Sequence, residues 1–258
     1  VGKSTLIGRL IMSIRERGEK VAVLAVDPTS PFSGGALLGD RVRMNLHGTD
    51  PGVYIRSMAS GGHAGGLSPA AVETASLLHA AGYHHVLVES VGVGQSEVGI
   101  LTLADLVLVI LQPGAGDEVQ ALKAGVMEIA DHFVINKAEQ TGADTLERAL
   151  RDIVGGANRS SLAPEVHRTV ATNGEGVEEL YSALVHRFEE LRERGEIAQR
   201  RQERLVGAFE EMAVDLFRAW LEARPERWKG LPFAELRREL TSLLNGLNGL
   251  NGNEPREQ

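Results

Sequence analysis

Short apolar runs alternate along this chain with stretches in which apolar residues recur at helical spacing. The apolar runs, each a candidate strand, lie at residues 21–26, 53–55, 86–88, 106–111, 133–135 and 169–171. Helical spacing is found between them, at residues 6–14, 69–81 and 144–154. Strands that read as continuous apolar runs are typical of parallel sheets buried on both faces. The pattern therefore predicts an α/β protein with a doubly wound, mostly parallel sheet.

The pattern changes near Arg187, where the strands stop and charged amphipathic helices begin. One apolar face of these helices is formed by Leu205, Phe209, Met212, Leu216, Phe217 and Trp220. Such a face packs either on the sheet of its own chain or against a second subunit. Residues 245–252 contain only Asn, Gly and Leu, a low-complexity composition typical of disorder. We therefore expect an α/β domain over residues 1–187, a helical region over 188–244 and a disordered tail over 245–258.

The first five residues, VGKST, match the second half of the phosphate-binding pattern G-x-x-x-x-G-K-[ST]. In such a loop, backbone N–H groups surround the phosphates, Lys3 reaches the β and γ oxygens, and the Ser4 hydroxyl binds Mg²⁺. Gly2, Lys3, Ser4 and Thr5 are therefore candidate contacts to a nucleoside triphosphate. The first glycine and the strand before the loop are absent, so we expect a piece of a longer protein. Because that strand is normally central in the sheet, residues 1–258 alone should fold poorly and bind nucleotide weakly.

Composition narrows the functional classes. The chain has 258 residues, of which 43% are hydrophobic, enough for a full α/β core. Its formal net charge of -8 gives no support for nucleic-acid binding, and no apolar stretch is long enough to span a membrane. The absence of cysteine excludes disulfides and thiolate metal sites, which is compatible with a reducing cytoplasm.

Carboxylates follow the predicted strands at the edge where ligands bind in open α/β sheets. Asp27 ends the first strand and Glu89 ends the strand at 86–88, so each is placed to hold Mg²⁺ beside Ser4. Asp40 lies in a long loop rich in Gly, Pro and Ser, and it is a further candidate ligand. The alternatives are a turn residue before Pro28 for Asp27, a loop carboxylate for Glu89, and an exposed helix start with adjacent opposite charges for Asp40. The combination of these carboxylates with the phosphate loop favours the metal site.

Three loops are candidate switches that sense the terminal phosphate, at residues 27–44, 89–97 and 112–118. In the second loop, Gly92 lets a backbone N–H approach a γ-phosphate without a side chain in the way. Gln95, in the same loop, could orient the attacking water. A solvated loop glutamine is the alternative for Gln95.

Asn136, Lys137 and Glu139 belong to a tetrad that follows the strand at 133–135 and resembles the guanine-reading sequence Asn-Lys-x-Asp of GTPases. The carboxylate of that sequence accepts hydrogen bonds that guanine donates and adenine cannot. Glu139 stands in place of Asp, and its extra methylene displaces the acceptor, which puts strict selectivity for GTP in question. Ala171 and Thr172 lie where such proteins close over the base with backbone N–H groups.

Several further segments, in one order, resemble a single protein family. They lie at residues 26–35, 39–44, 55–59, 62–68, 89–97 and 113–118. Together with the phosphate loop and the tetrad, they resemble the MeaB/ArgK subfamily of SIMIBI-class P-loop GTPases. Members of this subfamily are associated with methylmalonyl-CoA mutase and are relatives of the human methylmalonic aciduria type A protein. The resemblance is dense over residues 1–190 and looser over the helical end.

The resemblance implies a Mg²⁺-dependent GTPase that gates adenosylcobalamin loading into methylmalonyl-CoA mutase, protects that enzyme, and forms homodimers through C-terminal helices. The metal positions that it implies are Ser4, Asp27, Asp40 and Glu89. The catalytic roles are assigned to Lys3, Gly92 and Gln95. No arginine finger in cis is evident, so intrinsic hydrolysis is expected to be slow until a partner orders the switches.

Two other functions stay open on the sequence alone. The protein could be a nucleotide-switch binding module with negligible hydrolysis, or a P-loop kinase of a small molecule. The guanine-reading tetrad argues against the kinase. The sequence also lacks the clusters of His or Cys that nickel-delivering relatives use.

Overall fold

The computed structural model describes residues 1–27, 49–59, 69–90, 103–114, 130–156 and 163–223, with residues 232, 235, 237, 238 and 241. The helices within these ranges are α1 (Lys3–Glu16), α2 (Pro69–Ala80), α3 (Ala143–Gly156), α4 (Val177–Glu193) and α5 (Glu196–Glu222). The strands are β1 (Val21–Asp27), β2 (Val53–Ala59), β3 (His85–Ser90), β4 (Leu108–Leu111), β5 (His132–Asn136) and β6 (Glu165–Thr169). Strands and helices therefore alternate as the apolar pattern predicts.

The strands form two three-stranded sheets, with strand orders β2-β1-β3 and β4-β5-β6. Every pairing within them is parallel, which puts the carboxyl ends of the strands of each sheet at one edge. No strand within the described ranges pairs with both β3 and β4. The predicted α/β class with a parallel sheet is confirmed, and the sheet is divided in two at this point.

The last strand is the exception to the sequence prediction. We expect a strand at residues 169–171, but β6 runs from Glu165 to Thr169 and ends where that prediction begins. Its register pairs His132 with Glu165 and Asn136 with Thr169. Apolar periodicity does not predict this strand, because its sequence, EVHRT, is mostly polar. The strand is defined by its backbone hydrogen bonds, which a pattern of apolar side chains does not reveal. Ala171 is buried at 3% exposure, yet it lies in the turn after the strand.

Helix α1 connects the two sheets through one buried face. Leu6, Leu10, Ile11 and Ile14 of this face are at most 5% exposed. They belong to a core cluster that includes Val23 of β1, Val134 of β5, and Val177, Leu180 and Tyr181 of α4. Burying each large apolar side chain contributes about 1.5–3 kcal/mol. The position of α1, and with it the start of the helix, is therefore fixed by strands from both sheets.

Helix α5 is anchored to the second sheet by arginine side chains. Arg200 donates two hydrogen bonds to the Asp131 carboxylate, at 2.9 and 3.0 Å, and Arg201 donates to Asp105 at 2.6 Å. Burial raises the pKa of Asp105, but hydrogen bonds from Arg201 and Arg204 outweigh that effect and lower the pKa below its ordinary value. The Asp105 carboxylate thus stays ionised and holds the segment before β4 against α5.

The chain divides into two compact units, residues 1–208 and 209–258. Helix α4 continues across residue 187, so the change from strands to helices occurs earlier than the apolar pattern suggests. The predicted boundary between the α/β domain and the helical region stays a prediction. None of the helices in the described part of the chain combines the length and the hydropathy that crossing a bilayer requires.

Candidate functional site

The start of α1 has the backbone conformation that a phosphate-binding loop needs. Gly2 caps the helix with a φ of 85°, in the left-handed region that favours glycine. A Cβ added at Gly2 would also lie 2.6 Å from Asn136 Nδ2, so any other residue there would displace the Asn136 side chain. Lys3, Ser4 and Thr5 form the first turn of the helix. The backbone N–H groups of this turn have no partner within the helix and can donate hydrogen bonds to an anion.

Ser4 and Glu89 meet in three dimensions, although 85 residues separate them in sequence. The Ser4 hydroxyl donates a hydrogen bond of 2.9 Å to Glu89 Oε1. Glu89 is 7% exposed and lies next to the last residue of β3. Two adjacent oxygen ligands of Mg²⁺ at 2.0–2.1 Å lie about 3 Å apart. The separation and the chemistry of these oxygens therefore fit a shared magnesium ion.

Of the two other proposed metal ligands, the structure describes Asp27 but not Asp40. Asp27 is the last residue of β1, whose register sets Ala25 beside Glu89. The two strands thus end at the same edge of the sheet, as the sequence analysis expects. Asp40, Gly92 and Gln95 lie outside the described residues.

Asn136 connects three parts of the site. Its side chain is buried at 2% exposure, and its Nδ2 donates a hydrogen bond of 2.9 Å to the Val1 carbonyl. Its Oδ1 accepts hydrogen bonds of 3.1 Å from the Thr169 hydroxyl and from the Ala171 backbone N–H. One amide therefore joins the phosphate loop to the end of β6 and to the loop that follows.

The residues that follow Asn136 lie at the same edge of the sheet, next to the end of β6. Lys137 has a φ of 58°, a left-handed conformation that costs free energy for a residue other than glycine. The next residue, Ala138, donates its N–H to the Thr169 carbonyl at 3.1 Å, which holds the tetrad against β6. Glu139 is exposed, so its carboxylate is accessible to a ligand.

The loop of Ala171 and Thr172 is held by a residue that the sequence analysis missed. Arg9 of α1 donates from Nε to the Ala171 carbonyl at 3.0 Å and from Nη2 to the Thr172 carbonyl. The Ala171 N–H is engaged by Asn136, so Ala171 acts on the site through that side chain. No local pattern could reveal this role of Arg9, because its partners are more than 160 residues away.

The predicted residues that the structure describes thus gather at one edge of the two sheets. Gly2, Lys3, Ser4 and Thr5 begin α1, with Glu89 bonded to Ser4 and Asn136 bonded to Val1. The N-terminus of α1, the oxygen pair of Ser4 and Glu89, and the loop after β6 therefore lie together at this edge, where ligands bind in open α/β sheets.

Known proteins with similar sequences include a candidate GTPase and a methylmalonic aciduria type A homolog. A candidate GTPase of Pyrococcus horikoshii is 48% identical over 214 residues, which cover 79% of this chain and 66% of that protein. The mitochondrial methylmalonic aciduria type A homolog of Mus musculus is 36% identical over 206 residues, which cover 78% of this chain and 50% of that protein. The chain therefore spans about half to two thirds of the length of these relatives.

Solved structures share the fold. The structure of a LAO/AO transport system kinase matches with a TM-score of 0.66 and 27% identity, over 99% of this chain and 74% of that one. HypB of Helicobacter pylori matches with a TM-score of 0.53 and 18% identity, over 73% of this chain and 82% of that one. At this low identity the match is evidence for a shared fold only. The model of one family, the methylmalonyl-CoA mutase-associated GTPase MeaB, matches residues 1–226. The chain accordingly belongs to the MeaB family of methylmalonyl-CoA mutase-associated GTPases.

Proposed function

We propose that this protein is a Mg²⁺-dependent GTPase whose nucleotide state gates adenosylcobalamin loading into methylmalonyl-CoA mutase and protects that enzyme. The observation that carries the nucleotide part is the hydrogen bond from Asn136 Nδ2 to the Val1 carbonyl, at 2.9 Å. It brings the phosphate loop next to the proposed base-reading tetrad, which supports a single site of the kind that a GTPase needs. Membership of the MeaB family supports the mutase as partner.

The phosphate end of the proposed site has positive potential from two sources. The N-terminus of α1 carries the positive end of the helix dipole, and Lys3 adds a full charge. Together they favour the bound triphosphate and the charge that develops on the β–γ bridge during hydrolysis. Gly92 and Gln95 are proposed to position the γ-phosphate and the attacking water.

Ser4 and Glu89 are the proposed centre of the magnesium site, with Asp27 and Asp40 as further ligands. When bound, Mg²⁺ neutralises charge on the phosphate oxygens. The hydrogen bond between Ser4 and Glu89 holds both side chains in place before the ion arrives. This preorganisation lowers the conformational entropy that binding would otherwise cost.

Turnover of GTP by the intact protein alone is expected to be slow. Adding a methylmalonyl-CoA mutase is expected to raise the rate about tenfold or more, because partner binding would order the switch loops around the γ-phosphate. Phosphate release, measured with and without the mutase, tests this expectation, and serum albumin at the same concentration is the control. Rapid turnover without the mutase, or no response to it, would contradict the proposal.

Replacing Glu139 by Asp is expected to raise the preference for GTP over ATP about tenfold, the equivalent of one hydrogen bond. The shorter side chain would put the carboxylate where the guanine N–H groups donate. Competition binding of the two nucleotides measures the ratio, and Glu175→Asp, a change at another exposed glutamate, serves as the control. The same ratio in Glu139→Asp and the unaltered protein would remove the idea that Glu139 relaxes base choice.

Helix α5 is proposed to supply a homodimer interface. Its exposed apolar side chains include Leu205 at 65%, Phe209 at 67%, Met212 at 41% and Leu216 at 65%. Their spacing of four, three and four residues aligns them in one stripe along the helix. An apolar stripe of this kind is stabilised when a second copy covers it. Sedimentation of the intact protein as a monomer at all concentrations would contradict this proposal.

A further inference from the structure

Two histidines from different strands meet, His132 at the amino end of β5 and His167 in the middle of β6. His132 Nδ1 lies 3.0 Å from His167 Nε2, and the ring centroids are 5.1 Å apart. Glu165 joins them with Oε2 at 3.6 Å from His167 Nε2. One ligand atom from each residue lies within 4.8 Å of the other two. The strand register creates this cluster, because it pairs His132 with Glu165 and Val134 with His167.

The cluster lies away from the proposed nucleotide site. His132 is the first residue of β5 and Asn136 is the last, so four residue steps separate them. At about 3.3 Å per residue, that is about 13 Å along the strand. The cluster is thus not part of the magnesium site around Ser4 and Glu89, and its chemistry is different.

One ring nitrogen of His132 has no hydrogen-bond partner in the part of the chain that the structure describes. His132 is fully buried at 0% exposure, and its Nε2 has no hydrogen-bond partner among the described residues. Buried polar side-chain atoms are usually hydrogen-bonded, and neither tautomer of His132 satisfies both nitrogens here. The nitrogen of His132 that lies next to His167 is Nδ1, so a ligand shared by the two rings would bind Nδ1 and would leave Nε2 as it is.

We propose that His132, His167 and Glu165 bind a divalent transition-metal ion of borderline softness, of which Zn²⁺ is the best match. Zinc takes nitrogen and carboxylate ligands at about 2.0–2.2 Å in a tetrahedron, so its ligand atoms lie about 3.3 Å apart. The separations of 3.0 and 3.6 Å in the cluster are on either side of that value. A water molecule would supply the fourth ligand on the side of Glu165, whose side chain is 43% exposed.

The protonation of the cluster suits metal binding at neutral pH. Burial, assisted by the neighbouring His167, lowers the pKa of His132 to about 4, and burial also lowers the pKa of His167. Both rings are therefore neutral and offer lone pairs. Glu165 supplies the negative charge.

Two arginines near the cluster, Arg187 and Arg151, reduce its affinity for a metal ion, but both form ion pairs with glutamates. Arg187 donates to Glu165 Oε1 at 2.9 Å and lies 3.5 Å from Glu190, while Arg151 lies 2.8 Å from Glu147. Because Arg187 bonds only Oε1, it also orients Oε2 of Glu165 toward His167. A bound metal ion would link β5 to β6, the strands that end in Asn136 and Thr169. Its role would be to stabilise the structure.

Zinc binding to the intact protein, without a polyhistidine tag and in excess Mg²⁺, tests this proposal. Competition with a chromophoric chelator should show one zinc ion per chain. His167→Gln should weaken binding by at least about tenfold, whereas His186→Gln, which alters an exposed histidine of α4, should not. Zinc should also raise the unfolding temperature of the unaltered protein and of His186→Gln, but not of His167→Gln.

A second measurement covers the case in which His167→Gln does not fold. Co²⁺ bound to the unaltered protein should show the visible absorption bands of a tetrahedral site, which Zn²⁺ should abolish. Glu165→Gln, which keeps an acceptor for Arg187, should weaken or shift those bands. Absence of a stoichiometric zinc site, equal affinity in His167→Gln and His186→Gln, or a cobalt spectrum unchanged by Glu165→Gln would overturn the proposal.

Discussion

Replacing Lys3 by alanine is expected to lower GTP turnover about 100- to 1,000-fold, the effect of removing one group that stabilises a transition-state anion. Lys3 opens α1 next to Ser4, at the edge where Glu89 also lies. Its charge would balance the negative charge that moves onto the β–γ bridge as the bond breaks. The helix terminus cannot replace this charge, because the dipole is equivalent to only about half an elementary charge. Single-turnover phosphate release measures the loss.

Lys20→Ala is the matched control, since Lys20 is exposed and lies after the other end of α1. It removes one positive charge without altering the phosphate loop. Equal turnover in the two variants would show that the loss of Lys3 is not specific, and the assignment of the phosphate site would then be wrong.

The same variant separates the two functional classes that the sequence leaves open. A Lys3→Ala protein that still binds and protects the mutase would favour a nucleotide-switch binding module, in which hydrolysis is only a reset. Loss of protection together with hydrolysis would favour the hydrolysing chaperone.

Replacing Asn136 by alanine is expected to reduce the free energy of unfolding by about 2–6 kcal/mol and to weaken GTP binding. The change leaves the Thr169 hydroxyl and the Ala171 N–H without their acceptor, and both residues are at most 3% exposed. Each buried group left unsatisfied costs about 1–3 kcal/mol. The tie between Val1 and the base-reading tetrad is lost as well. Urea unfolding and nucleotide titration measure the two effects.

Asn173→Ala is the control for this change. Asn173 is exposed in the neighbouring loop, and its side chain accepts a single hydrogen bond, from the Glu175 N–H at 3.0 Å. Its loss should cost about 1 kcal/mol or less, because water can replace the acceptor. A destabilisation by Asn136→Ala no larger than that of Asn173→Ala would contradict the central role of the buried amide.

The sequence was informative where a residue's role depends on its neighbours along the chain. Gly2, Lys3 and Ser4 could be predicted to lie together because a phosphate loop is a local motif, in which backbone conformation and side chains follow one another. Glu89 could be predicted to lie near them because a parallel strand carries its last residues to the ligand edge. The hydrogen bond between Ser4 and Glu89 agrees with that reasoning.

The sequence was misleading or silent where the role depends on a partner far away. β6 escaped prediction because its strand is defined by its ladder with β5, while its side chains are mostly polar. Arg9 was missed because the carbonyls that it binds follow β6. His132 and His167 are 35 residues apart, so the predicted lack of histidine clusters holds for the sequence but not for the folded protein.

The sequence by itself determined the α/β class, the phosphate loop and the family, because apolar periodicity and contiguous motifs are properties of the chain. The tertiary structure decided which distant side chains meet. It bonds Asn136 to both Val1 and Ala171, and it sets Glu165 beside two histidines. The physical reason is register, because parallel pairing of β5 with β6 fixes which residues become neighbours. An alternating apolar pattern normally specifies register, but β5 is buried along its whole length and β6 is mostly polar, so neither strand shows that pattern.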